Sequence, residues 1–165
     1  IEDKVEAADF DRFVSVGRLD EATTGLLILT TDGGMVHTLA SPEAKVAKRY
    51  EVTTARRLDD EAVQRLRIGV EIELETNGDI ETYITAPAEA AIESDGRLRL
   101  VINEGKKRQI RRMVSAVGGE VVALHRRAIG RLDLRDHRLN QGDVLDISDQ
   151  DVLAMVGVDV EDKRP

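Results

Sequence analysis

The 165-residue chain contains no cysteine and no tryptophan, and two Phe and two Tyr are its only aromatic residues. Without cysteine there is no disulfide and no thiolate metal site, a usage that fits a reducing compartment and an expected cytoplasmic location. Three scattered histidines offer little for a histidine-based metal centre, so no metal is expected. With so few aromatics, the core must rest on Leu, Ile, Val and Ala. No apolar run approaches membrane-spanning length and no signal peptide is visible, so no membrane partner is expected. P-loop, dinucleotide-fingerprint and HExxH motifs are also missing, which disfavours ATP-driven or metal-dependent chemistry.

What is present is an ordinary globular composition, 41% hydrophobic, in a chain of about one domain's length. It begins at Ile1 with a mostly acidic and polar stretch, and reads as a fragment or a trimmed form. The net charge of −8 argues globally against a nucleic-acid partner, but it is unevenly spread. Residues 104–135 hold nine basic and three acidic side chains, a net +6 that leaves −14 on the remainder. A basic patch on an acidic body still attracts phosphate, because fields are local at physiological screening.

Periodicity and turn chemistry predict strands at Phe13–Val16, Gly25–Thr31, Lys48–Thr53, Ile80–Thr85, Ala90–Glu93, Leu98–Ile102 and Val121–Ile129. The run "GLLILTT" reads as a strand buried on both faces. Helices are expected at 34–40, after an Asp59 cap through about Arg67, at Lys106–Val117 and at Asp149–Val156. Asn77-Gly78 marks a turn, and the tail from Asp159 to Pro165 is expected to fray. More strand than helix, with hairpin-like turns, predicts an α+β fold: a mixed, mainly antiparallel sheet with helices packed on it.

Three features carry candidate chemistry. In "GRLD", Arg18 and Asp20 sit in a turn between strands. Such an Asp ordinarily bonds local backbone, but a poised, ionised one serves as nucleophile or base. Tyr50, one of the four aromatics, either fills the core or offers a stacking face to a base. The segment "EGKKRQIRRM" places Lys106, Lys107, Arg108, Arg111 and Arg112 together with no acidic i+4 partners. Packed like charges repel, so an unpaired cluster favours an external polyanion. Arg126 and Arg127 are expected to extend this patch.

Taken together, "VGRLDEATTGLLILTTDG", "SPEAKVAKRYEV" and "INEGKKRQIRRMVSAVGGEVVALHRRAIGRLDL" resemble the ribosomal RNA pseudouridine synthases, the small-subunit branch and its large-subunit relatives. "LNQGDVLDIS" is similar to the family's closing segment, and the resemblance runs from about Phe13 to Met155. It implies the family's catalytic fold and the isomerisation of a specific uridine to pseudouridine in ribosomal RNA, small subunit favoured, without a cofactor. It implies catalytic roles for Asp20, for Tyr50 packed on the target base, and for Arg111 paired with the Asp20 carboxylate. Ile110 is the implied apolar neighbour. Arg18 is implied to hold the flipped nucleotide or its phosphates. The implied partner is ribosomal RNA or a pre-ribosomal particle, and the expected state is a monomer. The chain is expected to be a single catalytic domain, 1–165, lacking the family's N-terminal S4-type RNA-binding domain and first catalytic segment.

Two other readings lead elsewhere. A non-catalytic RNA-binding remnant would bind RNA without turnover. An acidic structural domain would need Arg111 and Arg112 to find acidic partners within the fold.

Overall fold

One strand, Val121–Ile129, organises the sheet, and the rest of the architecture follows from what pairs with it. The computed structural model describes residues 11–76 and 78–157; the expected frayed tail and Asn77 of the expected turn lie outside them. In chain order the strands are β1 (Val14–Ser15), β2 (Thr23–Gly25), β3 (Leu29–Thr30), β4 (Lys48–Thr54), β5 (Glu71–Thr76), β6 (Asp79–Ile84), β7 (Glu89–Ile92), β8 (Leu98–Ile102), β9 (Val121–Ile129) and β10 (Leu132–Asp133). The helices are α1 (Gly33–Ala40), α2 (Asp60–Ile68), α3 (Gln109–Ala116) and α4 (Asp149–Val156). The principal sheet runs β10-β9-β4-β8-β7, all antiparallel, and β2 adds to β9 as a parallel neighbour. β1–β3 and β5–β6 form separate antiparallel pairs. This is the α+β architecture expected from the sequence.

Alternation assigns the two faces of the sheet. Tyr50 and Val52 on β4, Leu98, Leu100 and Ile102 on β8 and Leu124 on β9 face one way. They join Leu66 of α2 and Ile110, Met113 and Val114 of α3 in one buried cluster. Leu66, Leu98, Leu100 and Met113 are wholly buried, each contributing about 1.5–3 kcal/mol of transfer free energy. The opposite face is charged: Glu51 pairs with Arg97, Arg127 and Arg135, and Asp133 with Arg49 and Arg127. A second cluster gathers Val16, Ile28, Met35, Leu39, Val46, Ile129, Leu132, Val152 and Val156 around α1 and α4. Side chains of Asp32, Asp59 and Ser148 cap α1, α2 and α4 by accepting first-turn N–H groups.

Two expectations need correction. "GLLILTT" is not one strand. Gly25 ends β2 at φ +111°, Leu26 donates its N–H to the Arg126 carbonyl at 2.8 Å, and the chain then turns to pair Leu29–Thr30 with β1. The apolar run is shared between two sheets, and of its residues Ile28 and Thr30 alone are buried. The helix expected from Lys106 begins instead at Gln109. The Gln109 side chain accepts from the Lys106 N–H at 2.8 Å, and Arg108 takes a left-handed conformation at φ +53°. Three adjacent cations, Lys106, Lys107 and Arg108, thus precede the helix in a loop.

Candidate active site

The loop between β1 and β2 carries Asp20, and its alternate carbonyls are taken up one by one. Arg126 Nη1 donates to the Arg18 carbonyl at 3.1 Å, the Thr23 N–H to the Asp20 carbonyl at 2.8 Å, and Arg111 Nη2 to the Ala22 carbonyl at 2.9 Å. Arg126 Nε adds a bond to the Leu26 carbonyl at 2.8 Å. The loop is therefore held from both sides, by β9 and by α3. The half-buried Asp20 carboxylate itself accepts no hydrogen bond and joins no ion pair among the described residues.

Gly25, Arg126, Tyr50 and Leu100 lie in one row across β2, β9, β4 and β8. The Tyr50 ring, 9% exposed, packs into the main core, with no hydrogen bond on its hydroxyl among the described residues. Lys48, two residues earlier on the same strand, donates its Nζ to the Val46 carbonyl at 3.0 Å. Burial and the nearby Arg126 charge hold its ammonium below the usual lysine pKa. Lys48 and Arg126 thus make this part of the sheet cationic, and neither pairs with a carboxylate among the described residues.

Around this part of the sheet the sequence-derived residues fall into three groups. Lys107 and Arg108 are exposed and Arg112 half-buried, with no acidic partner among the described residues; Lys106 lies over the Tyr83 ring, 4.8 Å from its centroid. The Arg18 side chain is also exposed, with no partner among the described residues, while its carbonyl serves the loop. Ile110 is core, 4% exposed.

Arg126 and Arg127 depart from expectation. At 3% and 5% exposed they are interior groups that extend no surface patch: Arg126 grips the loop, and Arg127 is neutralised by Glu51 and Asp133 on the opposite face. Successive residues of β9 point to opposite faces of the sheet, so these consecutive arginines serve opposite sides. Arg111 differs too. No Asp20–Arg111 ion pair forms among the described residues; the guanidinium is spent on the Ala22 and Val121 carbonyls, at 2.9 and 3.2 Å. Arg111 and Arg112 also find no acidic partners among the described residues, which removes the support for a domain held by internal arginine salt bridges.

Two residues not anticipated from sequence set up the basic loop. Glu104 accepts from the Tyr83 hydroxyl at 2.6 Å, the Ala86 N–H at 3.0 Å and the Gln109 amide. Gln109 is 3% exposed, and its own oxygen holds the Lys106 N–H. The available signal was spacing: Gln109 stands four residues before Met113, a polar residue on an otherwise apolar stripe.

The Asp20 loop thus carries a carboxylate with no partner among the described residues, braced by Arg126 of β9 and Arg111 of α3 on a mainly antiparallel sheet. The same architecture occurs in a solved pseudouridylate synthase, with a TM-score of 0.77 and 34% identity over 88% of this chain and 60% of that one. The chain belongs to the RNA pseudouridylate synthase family, whose model matches residues 1–116. Among characterised sequences it is 35% identical over 139 residues to the ribosomal small subunit pseudouridine synthase A of Vibrio cholerae, covering 84% of this chain and 57% of that protein. It is 38% identical over 140 residues to the uncharacterised RNA pseudouridine synthase YtzG of Bacillus subtilis, covering 82% of this chain and 55% of that protein. The chain therefore spans somewhat more than half the length of these curated relatives.

Proposed function

We propose that this chain converts a uridine of ribosomal RNA, in the small subunit, to pseudouridine, with Asp20 as the reacting carboxylate. The observation that carries this is the Asp20 loop. Its backbone is fixed at three carbonyls, and at a fourth just past β2, while its carboxylate has no partner among the described residues, the arrangement a poised nucleophile or base requires. Family membership and the similarity to a small-subunit synthase support the substrate.

In the reaction the bond from N1 to the ribose C1′ breaks and a bond from C5 to C1′ forms. N1 gains a proton and C5 loses one. Nothing is oxidised or reduced, so the balance calls for no cofactor. The target base must leave its stack, at a cost of about a few kcal/mol. Contacts from Arg18, Lys106, Lys107, Arg108 and Arg112 to phosphates offset that cost. Tyr50, buried in the main core, backs the row of the sheet that runs through Arg126 to Gly25. Arg111 supports the reaction by holding the loop at the Ala22 carbonyl. The partner is ribosomal RNA or a pre-ribosomal particle met in the cytoplasm, and the working unit is a monomer.

The test is tritium release from ribosomal RNA labelled at uracil C5. Wild-type protein should release tritium, and Asp20→Asn should not, while binding the same RNA with similar affinity. Release by the folded Asp20→Asn variant refutes the role of Asp20. Salt-sensitive binding by the wild type without release refutes the activity and leaves an RNA-binding remnant.

A further inference from the structure

Arg126 is an anomaly in energetic terms. It is 3% exposed, no carboxylate pairs with it among the described residues, and its Nη2 is sealed from solvent without a partner. A buried cation with a spare donor is costly, and a hydrocarbon side chain would ordinarily serve a core better. Its neighbour Arg127 shows the contrast: equally buried, but paired with two carboxylates. The charge next to Arg126 is Lys48, another cation, which is itself depressed by burial and by Arg126.

What Arg126 does have is a pair of backbone acceptors. Its Nε and Nη1 reach the carbonyls of Leu26 and Arg18, which bracket Asp20 on either side of the loop. Its own carbonyl accepts the Leu26 N–H, so both edges of one residue hold the loop's outgoing limb. The rigid guanidinium fork sets the spacing of the two limbs; a lysine at the same place reaches one carbonyl at a time.

Resting on the pseudouridine synthase reading, we propose that Arg126 is a positioning residue for catalysis: a two-carbonyl clamp whose fork geometry fixes the reach of the Asp20 carboxylate. It does not touch RNA. Its charge comes with the fork, which donates from two fixed nitrogens to carbonyls on separate limbs. The Gly25 backbone lies so close to the Arg126 backbone that a side chain there has no room, which seats the clamp against β2.

Wild-type turnover in the tritium assay is the control; its absence indicts the functional reading, not the clamp. With an active wild type, Arg126→Met and Arg126→Lys are compared. Both should lower kcat by about 10²-fold, the scale of a misplacement near 1 Å, with Arg126→Lys the less impaired. KM, RNA affinity and its salt dependence should stay within about threefold of the wild type, since no phosphate contact is lost. Amide exchange should quicken at Thr23 and Leu26, in the loop, and stay slow in β4 and β8. A folded Arg126→Met with kcat near the wild type overturns the proposal. So does a loss seen in RNA affinity and salt slope instead of kcat. Global unfolding of both variants overturns it as well, because a clamp confined to one loop leaves the two cores standing.

Discussion

Removing the Glu104 carboxylate tests how the basic loop is held, and its cost can be worked from its three donors. In Glu104→Ala the Tyr83 hydroxyl and the Ala86 N–H are near enough to the surface to turn to water, so together they account for under about 1 kcal/mol. The Gln109 amide has no such recourse. It is 3% exposed, and its remaining neighbour is the weak acceptor Met113 Sδ at 3.7 Å. An orphaned buried donor costs about 2 kcal/mol. The sum, about 2–3 kcal/mol, lowers Tm by roughly 5–10 °C in a domain of this size. Thermal unfolding followed by circular dichroism measures it. A double-mutant cycle locates it: in a Gln109→Leu background, Glu104→Ala should cost only about 1 kcal/mol. Equal costs in the two backgrounds would refute the account, because the penalty would then not pass through Gln109.

Other outcomes follow from the same geometry. Arg127→Met should lower stability while leaving the salt slope of RNA binding unchanged, since Arg127 faces Glu51 and Asp133 and not the approach to Asp20. Neutralising Lys107, Arg108 and Arg112 should do the reverse, reducing the slope of log K against log salt by up to about 0.7–0.9 per charge at unchanged Tm. Gly25→Ala should be strongly destabilising and inactive in the tritium assay, because φ is +111° and the new Cβ would meet the Arg126 backbone. Tyr83 keeps its proton to higher pH than an ordinary tyrosine, through the hydrogen bond to Glu104, partial burial and the Glu104 charge. That contribution to stability is complete below the ordinary tyrosine pKa and is lost as pH rises through the folded-state value. Tyrosinate absorbance should show Tyr83 titrating at lower pH in Glu104→Gln than in the wild type.

Where a residue's role follows from its own neighbours in the chain, the sequence conveyed it well. Lys48–Thr54 alternates, Asp59 and Ser148 stand before helical runs, and Leu98–Ile102 is bracketed by turn residues; each element formed where local pattern placed it. Where the role depends on a distant partner, local pattern misled. "GLLILTT" reads as one strand because its apolarity is continuous, yet two different sheets bid for its two ends. "HRR" reads as surface because arginines usually are, and nothing nearby announces that Glu51 waits for one of them and the Asp20 loop for the other. The place of Asp20 in a turn between strands was legible from "GRLD". That Arg111 meets the loop at the Ala22 carbonyl, and not at the carboxylate, depends on how far α3 stands from β2, which no spacing in the chain encodes.

The clamp on the Asp20 loop has a consequence in time. Leu26 and Arg18 precede Arg126 by 100 and 108 residues. At a synthesis rate of about 5–20 residues per second, the loop leaves the ribosome roughly 5–20 s before its grip exists. Until β9 emerges, β2 has no strand to lie along and β4 lacks one of its two neighbours. The Asp20 loop therefore gains its grip only after β9 is made, and a chain stopped short of β9 carries "GRLD" on an unbraced loop.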